Sequence, residues 1–106
     1  MLDPALLSRQ LDLATARALG GESFEVSDAN PDAPLATLTV EGLREGPASP
    51  AMVQFALSFR GPPEPFLPQA TYRFRNARLG DYAIFITALG RTAQGYEYEA
   101  CFSYAP

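Results

Sequence analysis

Two hydrophobic periods divide the chain. Over residues 3–19, Leu7, Leu11, Ala14 and Ala18 recur every three to four positions, the spacing of one helix face, and Leu6 and Leu13 widen the stripe. Asp3 suits an N-cap, Pro4 suits the first helical position, and Gly20-Gly21 suits the stop. The pattern predicts one α-helix over about 3–19 that covers an end of a sheet. From Ser23 onward the period falls to two. Strands are predicted around Phe24 and Val26, over Leu35–Arg44, Met52–Arg60, Ala70–Asn76, Asp81–Leu89 and Tyr96–Tyr104. Met52–Arg60 alternates most cleanly: Val53, Phe55, Leu57 and Phe59 share a face, as in a half-buried antiparallel strand.

Turn chemistry separates the strands. Asp28–Asp32 and Gly46–Pro50 are loops, and Asn76–Gly80 and Gly90–Gly95 are the two turns of a final three-stranded meander. Placing Arg75 opposite Asp81 sets Phe74 against Tyr82 and Tyr72 against Ile84, and pairs opposite charges on the outer face. The fifth strand is apolar on both faces, with Tyr82, Ile84 and Ile86 on one and Phe85 and Leu89 on the other. Cover by the leading helix is the expectation, and contact with a partner is the alternative. Gly61–Gln69 holds four prolines and reads as an extended crossing that closes one end of the sheet. Its Phe66 and Leu67 would otherwise form a protein-binding tip. The expected fold is therefore mainly β. It is a small six-stranded antiparallel barrel or curled sheet with one N-terminal helix, a single domain over 1–106. The expected core is Leu7, Leu11, Phe24, Val26, Leu38, Val40, Val53, Phe55, Leu57, Phe59, Tyr72, Phe74, Ile84, Ile86, Tyr98 and Phe102.

Length and composition agree with one self-sufficient core: 106 residues, 47% hydrophobic. The net charge of −4 opposes binding to a phosphate backbone, so no nucleic-acid partner is expected. There is no His, which removes the commonest general base and the usual zinc imidazole. Cys101 is the single cysteine, so no intrachain disulfide and no thiolate cluster can form. Neither a signal peptide nor a membrane-spanning run is visible, and a cytoplasmic location is expected.

No catalytic, metal or cofactor residues are assigned. Cys101 sits mid-strand without a His partner. Glu97 and Glu99, two apart on one strand face, read as solubility charges on an edge. Asp28, Asn30 and Asp32 have calcium-loop spacing, but the sixth position lacks glycine and the twelfth is Thr39. Arg60, Arg73, Arg75 and Arg78 form the one basic cluster, close in space if strands three and four are neighbours. Its functional reading is an anion or carboxylate site, and cross-strand pairing with Asp81, Glu97 and Glu99 is the favoured reading. The residues assigned to a partner or anion contact are Arg60, Phe66, Leu67, Arg73, Arg75, Arg78 and Phe85.

The segments Phe55-x-Leu57-x-Phe59-Arg60-Gly61-Pro62, Leu67-Pro68-Gln69-x-Thr71-Tyr72-Arg73, Leu79-Gly80, Phe85 and Tyr98-Glu99-Ala100-x-Phe102 resemble a family of small uncharacterised bacterial domains of this length. The resemblance runs along nearly the whole chain and is densest from 55 to 102, while the leading helix is longer than the family's. It transfers no catalytic residue. It implies a place beside phage-tail-collar-like proteins, hence an accessory or structural role in a tail-like assembly. The functional expectation is a non-enzymatic interaction or structural module whose partner is another protein or a second copy. The alternatives are a small-molecule-binding barrel with a pocket lined by Tyr72, Tyr82, Tyr96, Tyr98 and Tyr104, and an enzyme working through carboxylates or Arg.

Overall fold

A computed structural model describes residues 2–47 and 49–106; Met1, and Ala48 of the loop expected at Gly46–Pro50, lie outside the described residues. Two short helices, α1 (Pro4–Leu7) and α2 (Leu13–Arg17), precede six strands: β1 (Ser23–Ser27), β2 (Ala36–Glu45), β3 (Val53–Gly61), β4 (Ala70–Asn76), β5 (Gly80–Thr92) and β6 (Gly95–Tyr104). The strands close into an antiparallel barrel in the order β1-β2-β3-β6-β5-β4, with β4 returning to pair with β1. The register expected for β4 and β5 is the one found: Arg75 lies opposite Asp81, Phe74 opposite Tyr82 and Tyr72 opposite Ile84.

The helix expected over 3–19 is two helices on a different face. Asp3 caps α1 through the amide of Ala5, but Ser8 then turns its hydroxyl onto the Ala5 carbonyl. Asp12 starts α2 by accepting the amide of Thr15. Local hydrogen bonds from Ser and Asp compete with helix continuation. The break rotates the stripe, so Leu6, Leu11, Ala16 and Leu19 are buried and Leu7, an expected core residue, is exposed. The second meander turn is also later than expected: β5 runs through Gly90, and Ala93-Gln94 makes the turn. Gly95, at φ 143°, is held so close to the Gly61 carbonyl that a Cβ there would collide with it.

The interior is filled by the chain itself, as a barrel this narrow requires. Phe24, Phe59 and Phe74 meet at its centre with ring centroids 5.3–6.3 Å apart. Tyr98, Leu38, Leu57, Ile84 and Ile86 surround them, all buried. Val53 and Phe102, expected in the core, lie at its margin, and Leu67, Tyr82 and Ala100 join it.

Each end of the barrel is closed by a crossing segment. The proline stretch joins the end of β3 to the start of β4. There Leu67 is only 2% exposed, its amide donates 3.0 Å to the Tyr98 hydroxyl, and the Tyr72 hydroxyl donates 2.6 Å to the Pro68 carbonyl. At the other end, Arg17 of α2 pairs with Glu45, the last residue of β2, and the Leu13 amide donates 2.8 Å to the Tyr104 hydroxyl.

β5 serves two neighbours in turn. Its first half, Gly80–Ile86, pairs with β4, and its register with β6 starts only at Thr87, opposite Glu99. β6 correspondingly pairs with β3 alone from Ala100 to Tyr104.

Candidate functional site

Every residue of the expected basic cluster has a carboxylate partner. Arg73 and Arg75 converge on Asp81, at 2.7 and 2.8 Å, from alternate outer positions of β4 across the register from it. Arg78 pairs with Glu22, and Asn76 donates to the same Glu22 carboxylate and to the Ser23 carbonyl, both at 3.1 Å. Arg60 pairs with Glu41 at 3.1 Å. The cluster is also not one patch: β3 is flanked by β2 and β6, not by β4, so Arg60 lies on another side of the ring. Arg60, Arg73 and Arg75 pair across strands, while Arg78, in the β4–β5 turn, pairs with Glu22 just before β1. Asp81 accounts for two of them, but the other partners, Glu22 and Glu41, come from segments the local pattern could not bring together. Glu99 pairs instead with Arg44 at 3.3 Å.

The proton affinities that depart from ordinary values all move away from neutrality. The Arg75 hydrogen bond, with Arg73 beside it, holds the Asp81 carboxyl below its usual range, and Arg78 and Asn76 do the same for Glu22. Burial raises the Tyr72 and Tyr98 phenols. Burial, then the nearby Glu99, raises the Cys101 thiol, which keeps it protonated and a poor nucleophile. These shifts fix charge for structural pairing, whereas acid–base catalysis calls for groups drawn toward neutral pH.

The tyrosines expected to line a ligand pocket do not frame one. Tyr72, Tyr82 and Tyr98 are buried in the packed core, and the Tyr72 and Tyr98 hydroxyls hold the proline crossing. Concavities lie on the outside. One, about 440 Å³, is an open groove between β2, β3 and β6 bounded by Arg44, Gln54, Ala56, Cys101 and Ser103. A second, about 420 Å³, is lined by Leu2, Leu7, Asp28, Ala29 and Thr71. Among the described residues no group of His, Cys, Asp and Glu is placed to hold a metal ion, and the Asn30 side chain accepts the Asp32 amide in a local turn.

The apolar residues assigned to a partner contact separate into two kinds. Leu67 is a core residue of the closing proline crossing, which corrects its assignment to a partner contact. Phe66, its neighbour, points outward, 47% exposed, with its ring edge-on to Tyr96 at 5.0 Å. Phe85 is 51% and Leu89 55% exposed on β5, so the leading segment does not cover them as expected. Phe85 stands opposite Thr71, which shares the second hollow with Leu2 and Leu7. Thr71 thus neighbours both, Phe85 across the β4–β5 register and Leu7 in the shared hollow. Leu7 was missed as a surface residue because it was assigned to the helix's buried stripe; the signal for it was Asp12, a second N-cap inside the expected helix.

The family model described as "Domain of unknown function (DUF6916)" matches residues 11–102. The chain belongs to the DUF6916 family. The matched span takes in α2, β1 to β5, the proline crossing and β6 as far as Phe102, and it begins two residues after Arg9. No curated protein and no solved structure matches the chain. No helix among the described residues is long and apolar enough to cross a membrane.

Proposed function

We propose that this DUF6916 domain is a non-enzymatic protein-interaction or structural accessory module that docks through the outer face of β5. The observation that carries this reading is the pair Phe85 and Leu89. Both are large, apolar and more than half exposed on a strand whose other face is already packed into a filled interior. A strand needs one buried face, and the second apolar face on a small domain marks a contact. Of the neighbouring charges, Asp81 offsets one of the two carried by Arg73 and Arg75, which lowers the desolvation cost of covering them. A bacterial phage-tail-like assembly, implied by the family resemblance, is the setting we favour, and the unpaired, exposed Cys101 fits assembly in a reducing cytoplasm.

The test is capture of the products of the genes flanking this one by the wild-type chain and by Phe85→Thr and Leu89→Thr. Thr keeps strand propensity, so both variants fold with unchanged denaturation midpoints. A flanking product held by the wild type and lost by both variants supports the reading. A wild type that stays monomeric in native mass spectrometry and holds none of them overturns it, as do variants that bind as the wild type does.

A further inference from the structure

Arg9 closes the start of β5 with side-chain hydrogen bonds. Its two terminal nitrogens donate to the carbonyls of Asp81 and Leu79, each at 2.9 Å, and its guanidinium lies 3.9 Å from the centre of the Tyr82 ring. Two carbonyls and an aromatic face match a forked, planar cation and suit Lys less well. Gly80, at φ 84°, leaves room for the approach, since a Cβ there would stand 3.3 Å from an Arg9 nitrogen. The chain fixes Arg9 on both sides: its amide donates to the Leu6 carbonyl, and Leu11 is buried in the core.

The Asp81 carbonyl belongs to a strand edge without a strand beside it. Residues Gly80–Ile86 pair with β4, and among the described residues none of them has a register partner on β6. Because Asp81 turns its carbonyl to Arg9, antiparallel alternation turns the main-chain groups of Ala83 and Phe85 the same way, and those of Tyr82, Ile84 and Ile86 toward β4. Thr87, next in the outward series, is where β6 takes up the pairing. No main-chain partner is shown for Ala83 or Phe85 on that side among the described residues. Such an edge, next to the exposed Phe85 ring, is a template for an incoming extended chain.

We propose that Arg9 is a built-in cap that bars strand addition at the β5 edge. An incoming strand has to donate an amide to the Asp81 carbonyl to enter the ladder, and Arg9 fills that acceptor with a bulky charged group. With Asp81 taken, the outward series offers only Ala83 and Phe85, a shorter run than a strand ordinarily needs. The occupant kept out is the extended main chain of a second copy, which the edge would bind through its amides and carbonyls alone. The inference concerns the edge of the strand, not the outer face that carries Phe85 and Leu89, and fails separately from that reading.

Wild type, Arg9→Lys and Arg9→Ala are compared as full chains by sedimentation over one concentration series, and hydrogen exchange of the associated state is read amide by amide by NMR. Arg9→Ala is expected to self-associate about tenfold or more tightly than the wild type, from the one or two net main-chain hydrogen bonds that the uncapped edge offers. Arg9→Lys, which keeps the charge but not the fork, falls between. In associated Arg9→Ala the amides of Ala83 and Phe85 gain protection, while those of Tyr82 and Ile84, already turned to β4, keep theirs, and β3 stays as protected as in the wild type. Association of Arg9→Ala no tighter than that of the wild type overturns the proposal. So does association without new protection at Ala83 and Phe85, or association with loss of β3 protection, which would trace it to unfolding. Partner capture lost in Phe85→Thr and Leu89→Thr bears on the outer face alone, and the alternating amide pattern bears on the edge alone.

Discussion

Removing one oxygen atom tests how the proline crossing is fastened to the barrel. In Tyr98→Phe the ring stays in the core, and the change is the loss of the only acceptor shown for the Leu67 amide, 3.0 Å away. Both residues are buried, Tyr98 fully, so the vacated space is too small and too dry for water to replace the hydroxyl. The loss is therefore that of a buried donor left unpaired, about 1–3 kcal/mol, not the smaller net value of an exchanged hydrogen bond. With a urea slope of about 1–3 kcal/mol per molar for a domain of this size, the midpoint should fall by about 1 M. Tyr72→Phe provides the internal control. Its hydroxyl donates to the Pro68 carbonyl in a part-buried site, where solvent can take over, so its cost should be about 0.5–1.5 kcal/mol. Urea titrations give the two stabilities, and hydrogen exchange at the Leu67 amide gives the local effect. Equal midpoints for wild type and Tyr98→Phe, or a Leu67 amide as protected in the variant as before, would refute the reasoning.

Two further outcomes follow from the packing and the charges. Phe59→Ala, which removes a fully buried ring touching Phe24 and Phe74, should cost about 3–5 kcal/mol in urea titration, and a near-wild-type midpoint would displace Phe59 from the centre of the core. The Asp81 carboxyl is held low chiefly by Arg75. Its contribution is therefore complete above the unfolded value of 3.8 and is lost as pH falls through the lower folded value, so Asp81→Asn should flatten the acid limb of the stability profile and lower the neutral plateau. An acid limb superimposable on that of the wild type would remove the pairing from the account of stability.

The parts of the fold that were legible in the sequence are those written in local alternation. The β4–β5 register could be read because a three-residue turn brings Arg75 to Asp81, and the pairing of opposite charges and of Tyr72 with Ile84 agree on one alignment. The filled interior was legible in the same way, through Phe55, Leu57 and Phe59 on one face of β3. What escaped was set by distant segments. The neighbour of β3 is β6, some forty residues on, and no turn signal specifies that choice. Hence Arg60 was grouped with β4 arginines that it does not approach, and Glu41 went unnoticed as its partner. The break between α1 and α2 escaped for the opposite reason: helical periodicity over residues 3–19 outweighed the Ser8 and Asp12 side chains that interrupt it. Of the candidate contact residues, Phe85 and Phe66 are accessible as proposed. Leu67 is not, because a proline crossing that carries two adjacent apolar residues can bury one only by turning the other outward.

The ring is sealed unevenly. β3 and β6 share nine register pairs, whereas β1 and β4 share three, Glu25 with Arg75, Val26 with Phe74 and Ser27 with Arg73, supported below by Arg78 and Asn76 on Glu22. A short ladder is the place where a closed sheet first unrolls, and unrolling would turn β1 and β4 into free edges open to aggregation. Arg73 and Arg75 lie along that very edge. Beyond holding Asp81, they would meet any intruding strand with two guanidinium groups, so the charges that lock the closed ring also guard it in the moments when it is open.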